Sequence, residues 1–209
     1  IRDWKKGGHG SETFLQVLEN SCNPGFMTIG LRLGKEKLFK YIRNFGYGSK
    51  SGIDLLGESA GIVFNEKKIG NVELATASFG QGNSATPLQI VNAGSAAING
   101  GILHQPYILK GIGNSTGVLI TKEPVVIRRV ISEETSKIVA ESLESVVARG
   151  TGRTAHIPGF RVGGKTGTAQ IAKDGHYLVN QFILSFLGFA PMDDPSIAAY
   201  IAIENPHNA

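Results

Sequence analysis

Apolar positions recur at helical spacing along roughly the first 100 residues and again over 132–149, and at strand spacing along the last 50. Lys35 to Phe45 places Leu38, Tyr41, Ile42 and Phe45 at i, i+3, i+4 and i+7 and ends at Gly46, which predicts an amphipathic helix. Ser11 is a suitable N-cap for a helix through about Asn20, with Phe14, Leu15 and Leu18 on one face. Ser21-Cys22-Asn23-Pro24 stops that helix and starts another to about Leu33, asparagine capping and proline entering the first turn. Residues 48–68 mix glycine, serine and charge and read as irregular. Asn71 to Ser78 reads as a short helix and Phe79 to Asn83 as a loop. Thr86-Pro87 opens a helix to about Asn99, stopped by Gly100-Gly101, and its Ala93, Gly94, Ala96 and Ala97 predict close packing against a sheet. Ser132-Glu133-Glu134 opens a helix to Arg149 with a stripe of Ile138, Val139, Leu143, Val146 and Val147.

Strands are predicted at Ile102–Leu109 and Val125–Ile131 from their β-branched content. Three more follow at Arg161–Ala172, Phe182–Ala190 and Ser196–Glu204. A loop holding Asp174-Gly175 joins the first two, and Pro191 to Pro195 joins the last two; connections this short imply antiparallel neighbours. Phe182 to Leu187 is apolar on both faces, so it is expected to be a central strand with helices on both sides. The fold class is α+β, an antiparallel sheet with flanking helices.

Composition changes this picture little. The 209 residues carry 41% hydrophobic and 18% charged positions, ordinary for a globular chain of one domain or one and a half. A net charge of +4 (21 basic minus 17 acidic residues), scattered along the chain, argues against nucleic acid as a partner. Cys22 is the single cysteine, which excludes an intrachain disulfide and argues against a cysteine-based metal site. His9, His104, His156, His176 and His207 show no metal-ligand spacing, so neither a metal nor a cofactor is expected. No run of 18 apolar residues crosses a membrane, and no signal-peptide pattern opens the chain. Both ends read as interior positions of something longer. Trp4, Phe182, Phe186 and Phe189 are assigned to the core.

The chemistry concentrates in Gly163-Gly164-Lys165-Thr166-Gly167-Thr168-Ala169-Gln170. Residues 159–166 also satisfy the G-x-x-x-x-G-K-[ST] phosphate loop. That loop needs a buried strand before it and a helix after it. Here Gly150 to Pro158 supplies no apolar run, and Thr166 to Ile171 is rich in threonine and glycine and poor in helix formers. The context is loop then strand, which leaves a nucleotide site or a glycine-rich hairpin without chemistry as weaker alternatives.

Lys-Thr-Gly-Thr is one of three signatures of penicillin-recognising serine acyl-enzymes. Ser21-Cys22-Asn23 matches their Ser-x-Asn motif. Ser78 to Gly82, Thr86 to Gln89, Asn99 to Gly101 and Gly150 to Gly152 resemble the intervening stretches. Taken in this order, the chain resembles the transpeptidase domain of class B penicillin-binding proteins over nearly its whole length. The Ser-Cys-Asn-Pro variant is most similar to sporulation-type members.

The resemblance implies a β-lactamase/transpeptidase-like fold and roles residue by residue. Ser21 would relay a proton between the nucleophile's base and the leaving amine, Asn23 would orient the donor peptide, and Lys165 would hold positive potential in the cleft. Thr166 and Thr168 would bind the terminal carboxylate of the substrate or a β-lactam, with the Thr168 N–H as one oxyanion donor. Gly167 would let the substrate backbone approach as an added strand. Strict alternation puts Lys165 and Thr166 on opposite faces of the strand.

The first signature, Ser-x-x-Lys, is missing: no serine of the chain has lysine three residues later. The expectation is a partial domain, incomplete at both ends and inactive alone, from a parent that cross-links peptidoglycan stem peptides and binds β-lactam antibiotics. That parent would sit on the extracytoplasmic face of the membrane on an anchor outside this chain, working with a glycosyltransferase. A non-catalytic β-lactam sensor or wall-binding module on the same fold is the alternative.

Overall fold

The computed structural model describes residues 3–173 and 176–206. Helices α1 (Phe14–Glu19), α2 (Asn23–Leu33), α3 (Lys35–Asn44), α4 (Asn71–Ser78) and α5 (Pro87–Ile98) come first. Strands β1 (Ile102–Gln105), β2 (Gly111–Asn114), β3 (Gly117–Thr121) and β4 (Val125–Arg129) follow, then α6 (Glu133–Arg149). Strands β5 (Gly163–Lys173), β6 (His176–Ala190) and β7 (Ile197–Glu204) close the sequence. They form an antiparallel sheet of order β5-β6-β7, with β1-β4 and β2-β3 as separate antiparallel pairs. The α+β class is as read from the sequence.

Several boundaries move for local reasons. The first helix is capped by Thr13, not Ser11, because Thr13 and Gln16 form a reciprocal capping box. Asn23 is the first helical residue of α2 rather than its cap, and Cys22 takes the cap position without a side-chain bond. Strand β1 ends at Gln105, short of the predicted Leu109, because Pro106 lacks the N–H a ladder requires. Strand β6 begins at His176, six residues before Phe182, so β5 and β6 form one long hairpin. The Asp174-Gly175 turn and His207 lie outside the described residues. The β2–β3 hairpin was not foreseen: its strands are short, rich in glycine and exposed, so burial imposes no clear alternation.

Burial rotates two predicted stripes. In α3 the centre is Phe39, fully buried against Leu74 and Ala77 with Leu38 and Ile42 beside it, while Tyr41 is exposed. In α6 the buried line runs through Ser136, Ala140, Val146 and Val147, and Ile138 faces out. Helix α5 fulfils its small-residue pattern: a Cβ at Gly94 would fall 2.4 Å from Leu187 Cδ2 of β6.

Ile98 of α5 and Ala140 of α6 pack with Phe189 and Met192, so both helices cover the sheet face that carries Lys165, Leu187 and Phe189. The opposite face is a correction to the reading of β6 as covered twice. Its β7 residues Ile197, Ile201 and Ile203 are 66%, 64% and 55% exposed, and no described helix lies on them.

Gln89 ties the irregular segment 48–68 to this frame. Its side chain is buried; its carbonyl accepts from the Thr86 N–H, and its amide donates to Ser49 O and Ala60 O, each at 2.9 Å. Glu19 holds α1 to α6 by accepting from Ser145 Oγ and pairing with Arg149 at 3.2 Å.

Candidate active site

Strand β5 is an edge strand: β6 pairs on one side, and along the other side opens a cleft of about 860 Å³. Ser21, Asn23, Lys165 to Thr168 and Gln170 line it, with Thr151 at one wall. This edge position resolves the alternation problem. Lys165 leaves β5 on the helix-covered face, yet an edge strand has no neighbour to block a four-carbon stem. Its Nζ reaches the turn between α1 and α2 and donates to Ser21 Oγ at 2.7 Å and to Thr166 O at 2.9 Å. Thr166 Oγ1 lies 3.5 Å from the same nitrogen, so residues from both faces converge on one ammonium.

Ser21 occupies the left-handed region at φ 53°, a conformation a non-glycine residue adopts only when its surroundings hold it there. Three hydrogen bonds hold it there. Ser21 N–H donates to Leu18 O, the Cys22 N–H donates to Val17 O, and the Trp4 indole N–H donates to Asn20 O at 2.9 Å. Ser21 thus closes the C-terminus of α1 in the left-handed position that follows the C-cap Asn20, and the same turn presents its hydroxyl to the cleft. With Lys165 donating to its oxygen, the Ser21 O–H is free to donate into the cleft.

Thr151 is a site residue that the sequence pattern does not single out. Its N–H donates to Glu19 O at 2.8 Å, which draws the end of α6 under the end of α1. A Cβ at Gly150 would fall 2.3 Å from Glu19 O, so glycine permits this approach. Thr151 Oγ1 then lies 3.0 Å from Thr166 Oγ1 and orients it. The signal available was the Gly-Thr-Gly after the last helix, whose spacing to Lys165 does not reveal contact.

Burial lowers the Lys165 ammonium from the ordinary 10.5 to about 8. Its partners are neutral oxygens, and no carboxylate pairs with it among the described residues. Such a half-dehydrated cation favours an incoming anion and sits close to proton exchange at neutral pH.

A Cβ at Gly167 would fall 2.6 Å from Ser185 Oγ, the end of a side chain that can turn away, so the fold itself does not demand glycine there. Thr168 is exposed within the cleft. Trp4, 62% exposed, and Phe182 line the cleft, and Phe186 is half-buried, so of the four aromatics assigned to the core only Phe189 is buried there. Their apolar surface suits a wall for a peptide rather than core packing, a distinction composition cannot draw.

A cluster that no sequence spacing announces forms in space. Asp3, His9 and Cys22 come together behind the Ser21 turn. Burial pushes the Cys22 thiol up to about 12, with the neighbouring Asp3 and Glu12 carboxylates adding to the shift.

Residues 1–209 match the penicillin binding protein transpeptidase domain along their whole length. The chain belongs to that family. It is 59% identical over 208 residues to Stage V sporulation protein D of Bacillus subtilis, covering 99% of this chain and 32% of the relative. It is 33% identical to Peptidoglycan D,D-transpeptidase MrdA of Acinetobacter baumannii, covering 98% of this chain and 33% of that one. Among solved structures, penicillin binding protein 3 of Mycobacterium tuberculosis complexed with aztreonam superposes with a TM-score of 0.88 at 32% identity. That match covers 99% of this chain and 48% of the solved one. The chain therefore spans about a third of the length of these sequence relatives.

Proposed function

We propose that this chain supplies the second and third motifs of a serine D,D-transpeptidase that cross-links peptidoglycan stem peptides. The observation that carries the reading is the 2.7 Å contact from Lys165 Nζ to Ser21 Oγ at the open edge of β5. It joins a lysine near its proton-exchange range to a hydroxyl that can accept on one side and donate on the other.

The nucleophilic serine and its lysine come from sequence outside these 209 residues, which contain no Ser-x-x-Lys. The serine attacks the carbonyl of the penultimate D-alanine, and its proton passes through Ser21 to the departing D-alanine amine. An amine of a second stem then takes the acyl group and regenerates the serine. Thr166 and Thr168 hold the donor's terminal carboxylate near Lys165, Asn23 orients its backbone, and the Thr168 N–H contributes to the oxyanion site. The donor strand lies along the free edge of β5, where Gly167 adds no side chain. β-Lactams occupy the same place and leave the serine acylated.

The likeness to a protein named for stage V sporulation supports a sporulation role, and the family resemblance supports an extracytoplasmic position, an anchor outside this chain and a glycosyltransferase partner. No described helix is long and apolar enough to cross a membrane. The full-length protein, given a peptide ending in D-Ala-D-Ala and an acceptor amine, is expected to release D-alanine and form the cross-linked dimer. Binding of the peptide without D-alanine release would favour a sensor or wall-binding module.

A further inference from the structure

A second cavity, of about 370 Å³, adjoins the cleft, and the donor half of the proposed reaction leaves it unused. The two spaces meet at Trp4 and Thr151, which line both. Trp4 is fixed there by its indole bond to Asn20 O, and Thr151 by its backbone bond to Glu19 O. The path from this boundary to the reacting centre is short. Thr151 Oγ1 lies 3.0 Å from Thr166 Oγ1, which in turn lies 3.5 Å from Lys165 Nζ. The volume falls within the range of small-ligand pockets, roughly 300–1,000 Å³.

The cavity is cationic. Lys5, Arg149 and Arg153 line it against one carboxylate, Glu12. Arg149 is engaged with Glu19, and Glu12 accepts from Asn20 Nδ2 at 2.6 Å. Lys5 and Arg153 are exposed and have no ion-pair partner among the described residues. Arg153 stands two residues past Thr151 and opens a single 3-10 turn, Arg153–Ala155. An occupant therefore meets two unpaired cations and the indole of Trp4, a combination that suits a peptide bearing a carboxylate.

We propose that this cavity is the acceptor subsite: it receives the part of the second stem peptide that lies beyond the attacking amine, and Arg153 and Lys5 bind a carboxylate of that stem. The inference rests on the transpeptidase reading and extends it from the donor to the acceptor. Acyl transfer to an amine is the reverse of acyl transfer from one, so the incoming amine takes the position that the departing D-alanine amine left. The donor ends at the carboxylate held by Thr166 and Thr168, so the donor does not extend past Thr166 toward Thr151. The acceptor is a longer molecule. What it carries beyond its amine continues past Thr166 and over Thr151, and the second cavity is the space that opens there. In the transfer itself the neutral amine nitrogen bonds to the ester carbonyl carbon, the C–O bond to the serine breaks, and the amine proton passes to the serine oxygen. Arg153 and Lys5 take no part in that exchange; they hold the acceptor so that its nitrogen meets the ester.

The test uses the full-length protein, a donor peptide ending in D-Ala-D-Ala, and an acceptor stem peptide with its carboxylates either free or converted to carboxamides. The readout is the partition of the acyl-enzyme between cross-linked dimer and hydrolysed donor, which does not depend on how fast the acyl-enzyme forms. In the unmutated protein, amidation should raise the acceptor concentration for half-maximal dimer formation roughly fivefold to tenfold, between the values of exposed and sheltered charge pairs. Arg153→Ala should impose a similar rise on the free-carboxylate acceptor and erase the difference between the two acceptors, and Arg153→Lys should restore part of it. Equal use of both acceptors by the unmutated protein, D-alanine release with hydrolysis and no dimer, or undiminished discrimination in Arg153→Ala would overturn the subsite and leave the acyl-enzyme reading standing. No D-alanine release from the unmutated protein would remove that reading and this one together.

Discussion

Lys165 Nζ lies 2.7 Å from Ser21 Oγ across 144 residues of sequence, joining the edge strand of the sheet to the turn between the first two helices. The contact exists because β5 is unpaired on its cleft side and because Ser21 is held at a positive φ that turns its hydroxyl toward the strand. Both features are costly in isolation, and their coincidence at one hydrogen bond is the strongest sign of a built site.

Replacing Lys165 by methionine in the full-length protein is expected to lower the rate of acylation by a penicillin by about 10²–10³, the range for losing an electrostatic stabiliser. In the unmutated protein that rate should change as pH rises through about 8, where the ammonium titrates. The stability sign follows from the depressed value. The folded state holds the Lys165 proton less tightly than the unfolded chain, so the penalty is fully present below pH 8 and is relieved between about 8 and 10.5. Chemical denaturation at pH 7 and at pH 10 should therefore show the methionine variant losing relative stability as pH rises.

Ser21→Ala and Ser21→Gly separate the hydroxyl from the backbone strain. Both remove the relay and should slow acylation alike. Only glycine relieves the left-handed conformation, so it should be more stable than the alanine variant by about 1 kcal/mol in urea denaturation. Equal stability would mean that the turn is not strained.

Thr151→Val removes the partner of Thr166 Oγ1 while keeping shape. One net hydrogen bond is worth about 1 kcal/mol, so acylation efficiency should fall roughly fivefold to tenfold. Thr151→Ser should restore it. Loss in both variants would assign Thr151 to packing instead.

Gln89→Ala should destabilise the protein by about 2–4 kcal/mol, because Ser49 O and Ala60 O lose their donor and the cap on Thr86 N–H is lost. Hydrogen exchange should show the loss first in residues 48–68.

The motifs were legible because their chemistry is contiguous: Lys165 to Thr168 and Ser21 to Asn23 announce themselves within a few residues. What spacing could not show is where an element sits. Alternation assigned Lys165 to a face but not β5 to an edge, so its reach to Ser21 was hidden. Helical periodicity found α3 and its core-packed Leu38, Ile42 and Phe45, but it included the exposed Tyr41 and left out the buried Phe39, because the adjoining helical row fits the pattern nearly as well. Thr151 and the Asp3–His9–Cys22 cluster depend on α6 and the N-terminal segment arriving at the same turn, which only tertiary packing decides. Trp4 and Phe182 were read as core because aromatic residues usually are, and an apolar wall for a ligand has the same composition.

The most direct test of the account is intact mass after incubation with a penicillin, on the 209-residue chain and on the full-length protein. One covalent adduct is expected on the full-length protein, mapping to a serine of a Ser-x-x-Lys outside residues 1–209, and none on the shorter chain. No adduct on a folded full-length protein, or an adduct on Ser21 of the shorter chain, would contradict it.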